Sequence, residues 1–192
     1  MKRYTTSADL TQSNECDGRV SQSSLVIEVG AAETLVGHWR RRHDAAAGRG
    51  MPAHITILFP FRAPETIAQE VLQNLATLAA RIPRHRYALV AIDEFKEAIY
   101  LRPYPDVWFR NLTQRLFEAF PDCPPYGGAF SDSIPHLTIA QTSGGEAHAA
   151  LRLALDAAIA TSLPVACEAN ALSLYVNDNS GDWTAAQRFQ FA

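Results

Sequence analysis

Apolar and polar positions change period repeatedly along this chain. Ser24 to Val29 (SLVIEV) is a short run of β-forming residues and predicts a first strand. Residues 32–46 predict a helix, broken by Gly48, Gly50 and Pro52. A strand follows over His54–Phe61, with His54, Thr56 and Leu58 on one face and Ile55, Ile57 and Phe59 on the other. Pro64 suits a helix start, and Val71, Leu75, Leu78, Ala79 and Ile82 keep helical spacing up to Pro83. Strands are predicted over Tyr87–Ile92 and Ala98–Arg102. A helix carrying Trp108, Leu112, Leu116, Ala119 and Phe120 comes next. A Pro-, Gly- and Ser-rich loop, Pro121 to Pro135, leads into a strand from His136 to Gln141. Gly144-Gly145 opens a helix with Leu151, Leu155 and Ile159, closed by Pro164. Val165–Val176 and Thr184–Phe191 finish as strands of a hairpin.

Two of these strands carry the same pattern: His54-Ile55-Thr56-Ile57 and His136-Leu137-Thr138-Ile139. In a strand, residues two apart share a face. Each imidazole therefore sits beside its threonine hydroxyl, while the apolar residues face the other way. Each motif is entered near a proline, Pro52 or Pro135, and followed by a helical pattern. The order strand, helix, histidine strand, helix, strand thus occurs twice. That predicts an α+β protein of two similar lobes facing each other across a cleft.

Imidazole exchanges protons near neutrality, so two of them across one cleft can serve as general base and general acid. Two threonine hydroxyls can donate hydrogen bonds to the oxygens of a phosphodiester. A single His-x-Thr is more often structural; the repetition is what points to a site. A metal centre is the competing reading, but neither motif brings a Cys, Asp or Glu at ligand spacing. No metal and no cofactor are therefore expected. His38, His43, His85 and His148 lie in helix or turn contexts and are expected at the surface. Tyr126 and Phe130, in the long loop, are candidates for stacking on a base, or equally for packing. Arg49 and Arg62 flank the first motif and are minor candidates for a second phosphate. Arg40-Arg41-Arg42 is expected to be a solvated helix face.

Composition narrows the partners. The 192 residues are 47% hydrophobic, enough for one core, and the net charge of -3 disfavours a grip on duplex DNA. A small nucleotide or an RNA terminus fits better. The three cysteines lack metal or disulfide spacing and suit a reducing compartment. The N-terminus has no apolar segment of a signal peptide, and no run approaches the ~18 apolar residues of a membrane span. A cytoplasmic protein is expected. The polar residues 1–22 predict a disordered tail before one bilobal domain over 23–192.

The paired motifs, together with GMPAHITILFPF, PPYGGAF and IPHLTIA, resemble the 2H phosphoesterases, the group of 2'-5' RNA ligases and 2',3'-cyclic phosphodiesterases. The resemblance covers residues 23–192. It implies two pseudo-symmetric α/β lobes whose antiparallel central sheets line a cleft. It also implies metal-independent chemistry on a 2',3'-cyclic phosphate or a 2'-5' linkage. His54 and His136 would be the catalytic pair, and Thr56 and Thr138 the phosphate ligands. A non-catalytic nucleotide or RNA-end binder of the same fold is the alternative.

Overall fold

The computed structural model describes residues 21–129, 133–178 and 180–192. Most of the tail expected over 1–22 lies outside them. Gln22 is already engaged, exchanging hydrogen bonds with Asn177.

The elements run β1 (Ser23–Glu28), α1 (Gly30–His43), α2 (Ala45–Gly48), β2 (His54–Leu58), α3 (Gln69–Ala79), β3 (His85–Phe95), β4 (Ala98–Tyr104), α4 (Val107–Ala119), β5 (Leu137–Gln141), α5 (Gly145–Ile159), β6 (Val165–Ala169), β7 (Ala171–Asn177) and β8 (Trp183–Gln190). They form two four-stranded antiparallel sheets, ordered β2-β1-β7-β8 and β5-β4-β3-β6. The sheets match strand for strand. Each has the strand of one His-Thr motif at its edge, beside the strand that precedes it through a helix.

The two halves are not contiguous in the chain. The predicted strand Val165–Val176 is two strands in different sheets: β6 pairs with β3, and β7 crosses over to pair with β1. Asn170 is the switch residue, tied by its carbonyl to the Phe191 amide and by its side chain to Arg188. β1 has a histidine strand on one side only, and β7 covers its other edge, which would otherwise be left unpaired.

Alternation puts Ile55, Ile57, Leu137 and Ile139 into one core with Leu25, Ile99, Leu101, Phe109 and Leu116. Burying each such side chain is worth about 1.5–3 kcal/mol relative to exposure. The helices cross between halves: α1 packs on β5 and β6, α4 packs on β2, and β2 touches β5. The Thr113 hydroxyl of α4 donates to the Ile57 carbonyl at 3.2 Å, satisfying a backbone group of the edge strand β2.

Local departures from the expected pattern have local causes. β2 stops at Leu58 rather than Phe61, just before Pro60, which has no N–H for a ladder. Leu58 is buried, not on the histidine face, because the β1–β2 register shifts between Leu25 and Val26. Pro64 opens only a single 3-10 turn, Pro64–Thr66, and α3 begins at Gln69.

Candidate functional site

His54 opens β2 and His136 immediately precedes β5. Both rings are half-buried, as are Thr56 and Thr138. In each case the ring Nδ1 meets a backbone carbonyl two residues earlier: Pro52 at 2.8 Å for His54, and Ile134 at 2.7 Å for His136. A carbonyl only accepts, so Nδ1–H is the donor in both. The neutral ring then carries its lone pair on Nε2. The fold thus sets the same tautomer twice and leaves Nε2 for proton transfer.

Both imidazoles are held below the ordinary value of 6.5. For His54 the pKa falls to about 4. Burial is the main cause, opposed by the Pro52 hydrogen bond; the Arg40 charge lowers it further, Asp44 raises it, and the His136 charge lowers it. For His136 burial lowers the pKa and the Ile134 hydrogen bond opposes it. That His136 is felt at His54 puts the two rings in one electrostatic neighbourhood, in keeping with the contact between β2 and β5.

The threonines follow from strand pleat. Thr56 lies opposite Val26 and Thr138 opposite Tyr100. Neither hydroxyl has a hydrogen-bond partner among the described residues, so both donors are available to a ligand. His136 is walled by two aromatic rings, Phe95 at 5.1 Å and Tyr100 at 5.2 Å between centroids.

The segment before β2 is clamped from beneath. Arg40 is not part of a solvated face: it is almost fully buried, pairs with Asp44 at 2.8 Å, and donates to the Met51 carbonyl at 3.3 Å. Helix α1 turns this position inward because its buried side also carries Ala32, Val36 and Gly37. Met51 packs with Val26 and Tyr175 in a small apolar cluster, joined by Trp183. Gly50 makes that close approach possible. Its φ is +94°, and a Cβ there would stand 2.8 Å from the Trp183 carbonyl oxygen.

The remaining candidates divide. Tyr126 has a left-handed backbone, φ +51°, rare for an aromatic residue. Its amide donates to the Phe59 carbonyl at 2.6 Å, and its phenol bonds to Ser133, with burial pushing the phenol up to about 12. The loop is therefore tied at one point to the end of β2 and at another to the approach to His136. Phe130 lies outside the described residues. Arg62 is committed elsewhere: it pairs with both Asp122 oxygens at 3.0 and 2.8 Å and lies over the Phe120 ring.

Two of the histidines expected at the surface are partly or wholly covered. His85 stacks on Trp108 at 4.8 Å, with its Nε2 buried. His148 is buried and bonds to the Thr142 hydroxyl at 2.7 Å. Both belong to amphipathic elements whose inward faces reach them. Among the described residues, Cys123 and Cys167 are free and buried, and no cluster of three His, Cys, Asp or Glu side chains is set to hold a metal ion. No helix among them is long and apolar enough to cross a membrane.

The family model of the 2'-5' RNA ligase superfamily matches residues 28–181, a span that includes both histidine motifs. The chain belongs to the 2'-5' RNA ligase superfamily. Solved structures share the fold over most of the chain. LigT of E. coli complexed with 3'-AMP is 17% identical, over 90% of this chain and 98% of that one, with a TM-score of 0.56. The NADP+ complex of the same protein is 18% identical over 91% and 99%, at 0.56. TT0787 of Thermus thermophilus is 14% identical over 88% and 97%, at 0.57. At these identities the likeness establishes the fold of the superfamily. No curated protein sequence matches the chain at a significant level.

Proposed function

We propose that this member of the superfamily is a phosphoesterase that opens 2',3'-cyclic phosphates, on a nucleotide or an RNA end, or cleaves a 2'-5' phosphodiester. The observation that carries this is the matched pair of imidazoles on touching strands, each with Nδ1 fixed by a carbonyl and Nε2 free. The nucleotides bound in the E. coli LigT structures support a nucleotide ligand.

His54 takes the role of general base. Its charged form is opposed by burial, by Arg40 more than Asp44 favours it, and by a charge on His136. His136, whose charged form is opposed by burial and favoured by the Ile134 carbonyl, takes the role of general acid. Water attacks phosphorus while His54 Nε2 accepts its proton. The bond to one ribose oxygen breaks, and His136 Nε2–H gives that oxygen its proton. The product is a phosphomonoester beside a free hydroxyl. Thr56 and Thr138 donate to the non-bridging oxygens, whose charge grows in the transition state. Each proton-transfer role is worth about 10²–10⁴ in rate.

The test is incubation with 2',3'-cyclic nucleotides in the presence of chelator. Phosphomonoester is expected from the wild type, with a loss of about 10²–10⁴ in kcat for His54→Ala and for His136→Ala. Either variant matching the wild type, or no turnover of any cyclic nucleotide or 2'-5' dinucleotide, removes the proposal. Binding without turnover would return the chain to the non-catalytic binder.

A further inference from the structure

Strand β4 alternates from Leu101 onward, while Tyr100, on the outward face, is buried beside His136. Ile99, Leu101 and Pro103 are buried, while Arg102 and Tyr104 on the opposite face are exposed, Tyr104 to 69%. The register ties that outward face to the site. Tyr100 lies opposite Thr138 and Leu101 opposite Leu137, so the next step sets Arg102 beside the backbone of His136. Tyr104 lies two residues beyond, on the same face.

Arg102 has no ion-pair or hydrogen-bond partner among the described residues. Its charge is felt at the Tyr100 phenol, and its side chain is exposed at the outer side of the His136 edge. Asp93, the carboxylate opposite Tyr100, accepts from the Glu94 amide at 2.9 Å, and its charge also reaches the Tyr100 phenol. Farther out on the sheet, Arg86 and Glu168 pair with each other at 3.5 Å. The row thus reads outward from the histidine as an aromatic wall, an unpaired cation and an exposed aromatic ring. Scattered surface residues of these types are ordinary. Their alignment on one central strand, continuous with the His136–Thr138 edge, is what singles them out.

We propose that the outward face of β4 is a track for the single-stranded RNA leading up to the terminal phosphate. Arg102 holds the next backbone phosphate and Tyr104 stacks on a base. The proposal rests on the phosphoesterase reading and narrows its substrate class to RNA ends rather than mononucleotides. From Tyr100 to Tyr104 the strand spans about 13 Å, against ~3.4 Å per nucleotide in a stacked strand. There is room for more than one nucleotide. Aromatic stacking accepts any base and phosphate contacts carry no sequence information, so the track is expected to be sequence-tolerant.

The experiment compares adenosine 2',3'-cyclic phosphate with a single-stranded hexaribonucleotide ending in a 2',3'-cyclic phosphate. The wild type is expected to favour the hexanucleotide by about tenfold or more in kcat/KM. Arg102→Ala and Tyr104→Ala each lose about tenfold on the hexanucleotide, mainly through KM, and stay within about twofold on the mononucleotide. Arg102→Lys keeps most of the hexanucleotide activity. The dependence of log KM on log salt is shallower in Arg102→Ala by about 0.7, the value for one phosphate contact on a single strand. Equal use of both substrates by the wild type, or equal losses on both by the variants, overturns the proposal. If neither substrate is turned over, the phosphoesterase reading fails by itself. Fluorescence anisotropy with a labelled hexanucleotide bearing a 3'-phosphate then decides the track. Binding weakened about tenfold in both alanine variants supports it; binding unchanged by them, or absent in the wild type, overturns it.

Discussion

Arg40 and Asp44, one helical turn apart, meet at 2.8 Å with their side chains 1% and 4% exposed. Asp44 also accepts from the Ala46 amide at 3.0 Å, capping the short α2, and Arg40 reaches the Met51 carbonyl. The pair therefore holds both ends of the segment that delivers His54. Arg40→Met is expected to cost about 3–5 kcal/mol in urea unfolding, because it strands a buried carboxylate. Adding Asp44→Leu to it should recover much of that loss. A single variant as stable as the wild type would contradict the burial of the Arg40–Asp44 pair.

The pH profile follows from the direction of the imidazole shifts. Both pKa values are lowered in the free protein, His54 to about 4. The base must be neutral, so kcat/KM falls as pH drops toward 4. The acid must be protonated, so kcat/KM also falls as pH rises through the depressed pKa of His136, below 6.5. The expected kcat/KM curve is a bell centred on the acid side of neutrality. A bound phosphodiester anion favours the charged forms, so the kcat profile should lie at higher pH. Stability has the same sign: the unfolded chain takes up these protons first, so melting temperature should fall as pH drops from 6.5 toward 4. An activity optimum well above neutrality in kcat/KM would contradict the assignment.

Thr56 and Thr138 serve no hydroxyl partner within the described protein, so removing those hydroxyls should leave the fold intact. Thr56→Val and Thr138→Val preserve shape and should lower kcat by about 10² each, with melting temperature unchanged. The serine variants should retain most activity. Valine variants that keep full kcat would remove the hydroxyls from the reaction.

Thr113 has the opposite character: its hydroxyl is spent within the fold. Thr113→Val leaves the Ile57 carbonyl without its donor at a buried edge. The expected loss is about 1–3 kcal/mol in chemical denaturation. Activity per folded molecule should change far less than in the Thr56 or Thr138 variants. A stability equal to wild type would mean that water or another group satisfies that carbonyl.

The alternation in HITI and HLTI was enough to place His54 with Thr56 and His136 with Thr138, because strand pleat is a property of the local backbone. Helical spacing likewise located α1, α4 and α5 to within a few residues and the body of α3, which starts at Gln69 rather than Pro64. Pairing partners were not legible in the same way. Nothing within Val165–Val176 marks Asn170 as the point where the chain leaves one sheet for the other, since that choice depends on the open edge of β1 far away in the sequence. The inward turn of Arg40, the covering of His85 and His148, and the commitment of Arg62 to Asp122 were equally hidden. A charged or imidazole side chain has the same local spacing whether it meets solvent or a partner. The carbonyls of Pro52 and Ile134 that orient the two rings belong here too. Local periodicity thus selected the residues of the candidate site. Only contacts between distant segments, which bring β2 against β5 and half-bury both rings, decided their neighbourhood, their tautomer and their affinity for protons.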